Sequence, residues 1–133
     1  MTTTYFLNII AGNVFNTKTS PALPGEFYLG VSTTAPNLDG TGVTEPSDAA
    51  YARVKIASLS APDNGSVKNS ADIPFADATE DWGTCTHFVM YDAQTGGNLL
   101  MYGKLDKSRV VQADSQLSFL AGGLSLSLKN IAE

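Results

Sequence analysis

Near the amino terminus, the apolar positions follow a helical period. They lie three, four and eight residues after the first of them, a spacing that gathers side chains on one face of an α-helix. The positions concerned are Phe6, Ile9, Ile10 and Val14. The run Thr2-Thr3-Thr4 offers N-capping hydroxyls. The pattern predicts a helix over residues 4–15, inside an N-terminal helical segment of residues 1–16. A helix this short is marginal alone, so the stripe must dock either on its own domain or on a neighbouring subunit.

Beyond this segment, short apolar runs alternate with turn residues, a pattern typical of β-strands. Leu124, Leu126 and Leu128 alternate with polar residues, as a half-buried strand requires. The predicted strands are residues 26–33, 51–59, 67–75 (one or two strands), 84–92, 98–105, 108–111, 116–120 and 124–128. Many short strands at regular spacing predict a mainly β protein, an antiparallel β-sandwich of jelly-roll-like type. We expect one domain over residues 1–133, with the helix at its start.

Two connections are informative. Residues 35–49 form a long polar connection rich in Gly and Pro, here called the 35–49 loop. Loops of this length in compact domains are usually functional or mobile. Asn64-Gly65 is a strong signal for a tight hairpin turn.

Charge and composition exclude several classes of protein. The net charge is −5, and the eight Lys and Arg residues are scattered rather than clustered as phosphate binding requires. We therefore expect neither nucleic-acid binding nor attraction to anionic lipid. No apolar run approaches a membrane-spanning length, and no signal peptide is evident at the start. A single Cys permits no internal disulfide, which suits a reducing compartment.

One short stretch concentrates the rare residues, because residues 80–88 hold the only Trp, Cys and His of the chain. On a strand, Cys85 and His87 point to the same side, with Cβ atoms about 7 Å apart. A thiolate and its base need hydrogen-bond contact and a third orienting group. Neither condition is met, so we predict a packing role for Cys85 and no enzymatic activity.

The remaining residues indicate no metal or cofactor. One Cys and one His cannot supply a zinc site, and the carboxylates around Glu80 match no calcium loop. The Gly pairs at 96–97 and 122–123 are predicted to be turns rather than phosphate-binding loops. Trp82 has two open interpretations: an anchor at the edge of the core, or a contact at a subunit interface.

The order of these elements resembles a known family. The segments that carry the resemblance are residues 7–10 and 14–16, residues 28–36, Glu45, residues 51–54, residues 73–75, residues 82–88, residues 91–93, residues 96–100, Gly103 and Leu105. In order and spacing they are similar to small structural proteins of tailed bacteriophages, often labelled phage tail fibre proteins. Cys85 departs from the small aliphatic residue expected at its position in that family.

The resemblance implies a structural virion component without enzymatic activity, in the tail, neck (collar) or fibre assembly or as capsid decoration. It would assemble in the host cytoplasm as a homo-oligomer, most simply a trimer, and dock on other virion proteins. The candidate interface residues are Phe6, Ile9, Ile10, Val14 and Trp82. The alternative is a receptor- or glycan-binding adhesion module of the tail. That alternative predicts aromatic residues on exposed loops, and the 35–49 loop has none.

Overall fold

A computed structural model describes residues 1–15 and 21–128. The described chain contains one helix and eight strands. They are α1 (Thr4–Val14), β1 (Tyr28–Ser32), β2 (Val54–Lys55), β3 (Ser66–Lys68), β4 (Ile73–Pro74), β5 (Gly83–Tyr91), β6 (Leu99–Val111), β7 (Ser118–Phe119) and β8 (Ser125–Ser127). Residue 16, the last of the predicted helical segment, lies outside the described residues.

The start of α1 is fixed by a buried threonine. The Thr3 hydroxyl oxygen accepts a hydrogen bond from the backbone N–H of Phe6 at 3.3 Å, and the same hydroxyl donates to the carbonyl of Leu99 at 2.7 Å. One side chain therefore caps the helix and ties it to β6. Phe6 and Ile9 then turn their side chains inward.

The larger layer is an antiparallel sheet of four strands in the order β2-β1-β5-β6. The central strand β5 pairs on one side with β1, where Leu29 opposes Met90, and on the other with β6, where Met90 opposes Met101. Two β-bulges interrupt the β5–β6 pairing, one of them between Cys85 and His87. Bulges bend and twist a strand locally.

The second layer consists of two separate ribbons, β3–β8 and β4–β7. Their apolar residues join those of the large sheet in one core. Its fully buried members include Leu29, Val31, Phe75, Cys85, Leu100 and Leu124. The prediction of a mainly β, antiparallel fold with a short N-terminal helix is confirmed. The layers form a sandwich whose second face is divided into two ribbons.

The opposite face of the large sheet is covered by the 35–49 loop. Val89, Tyr91 and Leu99 form a second apolar cluster, against which Val43 and Tyr102 pack. A strand with apolar residues on both faces needs cover on both. In this structure the 35–49 loop provides the cover on this second face.

Local predictions differ from the structure in two places. The predicted strand 51–59 contributes only Val54–Lys55 to the sheet, because a turn from Asp48 to Tyr51 precedes it and the Tyr51 and Arg53 side chains bond to the loop. The predicted strands 98–105 and 108–111 are one continuous strand, β6. The Asn64-Gly65 turn is present, and both residues have positive φ, of 51° and 79°.

Candidate functional site

The 35–49 loop is anchored to the start of β5 through the carboxylate of Asp48. Asp48 Oδ2 accepts hydrogen bonds from Trp82 Nε1 at 2.9 Å and from the backbone N–H groups of Thr79 and Glu80 at 2.7 and 3.1 Å. The Oδ1 atom accepts from the Thr79 hydroxyl and from the N–H of Ala50. These donors, the Thr79 hydroxyl above all, hold the pKa of Asp48 well below its ordinary value.

Trp82 lies inside the fold. Only 4% of its surface is exposed, and its indole ring meets Tyr51 edge-on at 5.2 Å and Phe75 at 6.1 Å between ring centres. The N–H of a buried Trp needs a partner, and Asp48 supplies it. This surrounding is that of a core anchor.

A second polar cluster fixes the loop at Glu45, three residues before Asp48. The Arg53 guanidinium forms two hydrogen bonds of 2.9 Å with the Glu45 carboxylate, and the Tyr51 hydroxyl donates to Glu45 at 2.7 Å. Arg53 also donates to the carbonyls of Ala93 and Gly96 and lies 3.5 Å above the centre of the Tyr91 ring. The opposite charges of Glu45 and Arg53 compensate each other.

These residues line a shallow cleft of about 490 Å³, bordered by Glu45, Tyr51, Arg53 and the 94–96 turn. Catalysis by a carboxylate or by tyrosine needs a group that is available to accept or give a proton. Here the polar side chains are bonded to one another, and burial raises the pKa of Tyr51. The side chains of Glu45, Tyr51 and Arg53, here called the clamp, therefore hold the 35–49 loop in place.

Cys85 and His87 do not form a catalytic pair. The Cys85 side chain is fully buried, and burial raises the pKa of its thiol. The ring Nδ1 of His87 lies 2.8 Å from the Thr86 hydroxyl, and burial, with the charge of Lys104, lowers the pKa of His87. A protonated, inaccessible thiol is a poor nucleophile. The packing role predicted for Cys85 agrees with its position in the core cluster.

Within residues 1–15 and 21–128, no group of three or more His, Cys, Asp or Glu side chains is placed to hold a metal ion. No helix in these residues has the length and apolar character needed to cross a membrane.

The candidate interface residues are distributed over both sides of α1 and the core. Phe6 and Ile9 are buried, Ile10 is half-buried against the core, and Val14 is 67% exposed. Trp82 is buried, as described above. A role of these five residues between subunits stays a prediction, and Val14 is the one that presents a largely free surface in the described chain.

A different apolar surface is present on the outside of α1. Of the ten exposed large apolar side chains in the described residues, five fall within the first fifteen: Met1, Tyr5, Leu7, Val14 and Phe15. Clusters of exposed apolar side chains commonly mark interaction sites. Leu7 and Phe15 lie outside the predicted stripe and were therefore not predicted as interface residues. The absence of charged residues on the helix was a signal that could have indicated this surface.

A comparison with known protein families identifies the family of this chain. A family model described as podophage GP4 fiber I protein gp80 matches residues 2–127. Since the match covers nearly the whole chain, the chain belongs to this family of phage fibre proteins. The resemblance to tailed-phage virion proteins is thereby confirmed, and the protein is a structural component of a phage virion. No curated protein gives a significant match to the chain.

Proposed function

We propose that this protein acts in the phage fibre without enzymatic activity, by symmetric self-association and by docking on other virion proteins. The observation that carries the proposal is the helix α1, which has apolar side chains on its outer side as well as its inner side. Exposed apolar side chains that cluster on one surface commonly mark an interaction site. Among the described residues of one copy, only the inner side is covered.

The edge of the large sheet offers a less suitable route to assembly. The backbone of Met1 and Thr3 hydrogen bonds with Tyr102 and Leu100 and covers the first part of the outer edge of β6. Further along, β6 is bulged and exposes the charged residues Lys104, Asp106, Lys107 and Arg109. Charges and bulges on an edge strand oppose pairing with another sheet. These features favour association through the helix.

We favour a trimer assembled in the host cytoplasm, as the resemblance to phage tail fibre proteins implies. Closed cyclic symmetry lets one uncharged surface be covered by copies of itself. The net charge of −5 opposes close approach elsewhere on the surface. The two buried polar clusters fit this function, because they fix the 35–49 loop to the domain and leave a rigid building block.

The experiment is to locate the protein in the intact particle of the phage that encodes it, by cryo-electron microscopy. We expect several copies of this fold in the fibre, arranged around a rotation axis. Purified particles that lack the protein, or that hold it as isolated single copies, would contradict the proposal.

A further inference from the structure

The outer side of α1 has the spacing of a helix–helix seam. Thr4, Leu7, Ala11 and Val14 follow one another at intervals of three, four and three residues, and all four are exposed. This alternation is the a/d spacing by which helices pack knobs into holes. The inward residues Phe6 and Ile9 occupy other positions of the same helix, so the seam is independent of the core.

The charge distribution indicates which partner covers this seam. The first seventeen residues contain no Asp, Glu, Lys or Arg, whereas the whole chain has 13 acidic and 8 basic residues. Around a rotation axis, identical side chains face each other, and a charged side chain there would meet its own copy. An uncharged seam avoids this repulsion, so the surface suits a second copy of itself.

The fold also removes the usual difficulty of a short helix. An eleven-residue helix is only about 16 Å long and would be marginal alone in water. Here the Thr3 cap and the buried residues Phe6 and Ile9 hold it formed before any partner arrives. Association therefore requires little ordering of the backbone, which lowers its entropic cost.

We propose that the copies of this protein meet through their α1 helices, which lie parallel around the symmetry axis with Leu7, Ala11 and Val14 in the seam and Phe15 at its border. Phe15 is 77% exposed and directly follows Val14. This inference rests on the self-association proposed above and specifies its contact surface. Because the seam is short, we expect the oligomer to dissociate on dilution.

The chain provides a closely matched pair of valines for the test. Val14 is 67% exposed in the seam, and Val110 is 66% exposed on β6, outside α1. Val14→Lys and Val110→Lys add the same charge at the same degree of exposure. Self-association of the full chain is measured by sedimentation velocity over a dilution series. We expect Val14→Lys to weaken association at least about tenfold, because it places a charge in the apolar seam opposite its own copies, and Val110→Lys to leave it unchanged. Circular dichroism checks that both variants are folded.

A cross-linking measurement gives an independent readout. The natural Cys85 is fully buried, so an introduced surface thiol reacts without competition from it. Under mild oxidation, Val14→Cys should form covalent dimers on a non-reducing gel, with one disulfide formed as the oxidant takes up two electrons, and Val110→Cys should not.

The outcomes separate this inference from the proposed function. Suppose that the wild-type chain associates, that Val14→Lys associates equally well, and that Val14→Cys forms no covalent dimers. This result would overturn the α1 seam while leaving self-association intact. A wild-type chain that remains a single copy at every concentration would overturn both.

Discussion

The indole Nε1 of Trp82 donates a 2.9 Å hydrogen bond to Oδ2 of Asp48, thirty-four residues earlier in the chain. This bond joins the 35–49 loop to the segment that leads into the central strand β5. It places the two most conspicuous features of the sequence, the long polar loop and the stretch of rare residues, in one structural cluster. The loop is thereby a covering layer of the sheet, held at Asp48 and at Glu45.

Asp48 makes the stability of the protein sensitive to acid. Its pKa in the folded state is lowered, chiefly by the Thr79 hydroxyl, so the unfolded chain, with an Asp pKa of about 3.9, takes up the proton first as pH falls. The stabilisation is complete above the unfolded pKa and is lost as pH falls from there towards the folded pKa. Thermal melts between pH 6 and 3, with the pH values chosen to span about 3.9, should show this loss in the wild type.

The Asp48→Asn variant should be less stable at neutral pH and should show a flatter decline in acid. Asp106→Asn, a change at an exposed position on β6, is the matched control and should follow the wild-type curve. An Asp48→Asn melting curve with the wild-type acid dependence would show that Asp48 is not the group responsible.

The Glu45–Arg53 pair should contribute strongly to stability. Removal of one partner from a buried ion pair leaves the other charge uncompensated, and Arg53 is only 8% exposed. Since Glu45 itself is 22% exposed, we expect Glu45→Ala to lower the free energy of unfolding by about 3 kcal/mol, the lower end for such pairs. Urea denaturation measures the change.

The control for that experiment is the second ion pair, Lys55–Glu26, whose side chains are 54% and 52% exposed. Exposed pairs contribute little, so Glu26→Ala should leave the urea midpoint nearly unchanged. Equal losses of unfolding free energy in Glu45→Ala and Glu26→Ala would contradict the stabilising role of the Glu45–Arg53 pair.

Gly30 is required for the approach of the clamp to β1. A Cβ atom at this position would lie 2.5 Å from the Tyr51 hydroxyl and 2.8 Å from Glu45 Oε1, both of which hold hydrogen bonds. We expect Gly30→Ala to destabilise the protein by about 1–3 kcal/mol, as overpacking usually does. At Gly25 a Cβ atom meets nothing within 4 Å, so Gly25→Ala should be neutral or slightly stabilising. If the unfolding curves of Gly30→Ala and Gly25→Ala coincide, this close packing at Gly30 is contradicted.

Amide exchange should be slowest in β5. This strand is paired on both sides, with β1 and β6, and apolar clusters cover both of its faces. Such amides exchange only through openings close to global unfolding. Hydrogen-exchange mass spectrometry or NMR should therefore find residues 85–91 among the most protected. Rapid exchange there would contradict both the strand order and the cover provided by the loop.

The sequence predicted the features that depend on local periodicity. The spacing of Phe6 and Ile9 identified the helix and its inward side, and Asn64-Gly65 identified a tight turn. The partners of Asp48 and Glu45 could not be predicted, because they depend on contacts between distant segments that leave no periodic trace. The continuity of β6 was also missed, since the predicted strands 98–105 and 108–111 were separated at the charged residues Asp106 and Lys107.

The most direct test of the account is the mass of the purified full-length chain in solution, measured by native mass spectrometry and light scattering over a range of concentrations. We expect, at high concentration, a species of three times the 14.0 kDa mass of one chain, which dissociates into single chains on dilution. A mass of 14.0 kDa at every concentration would contradict self-association, and with it the central claim about how this fibre protein works.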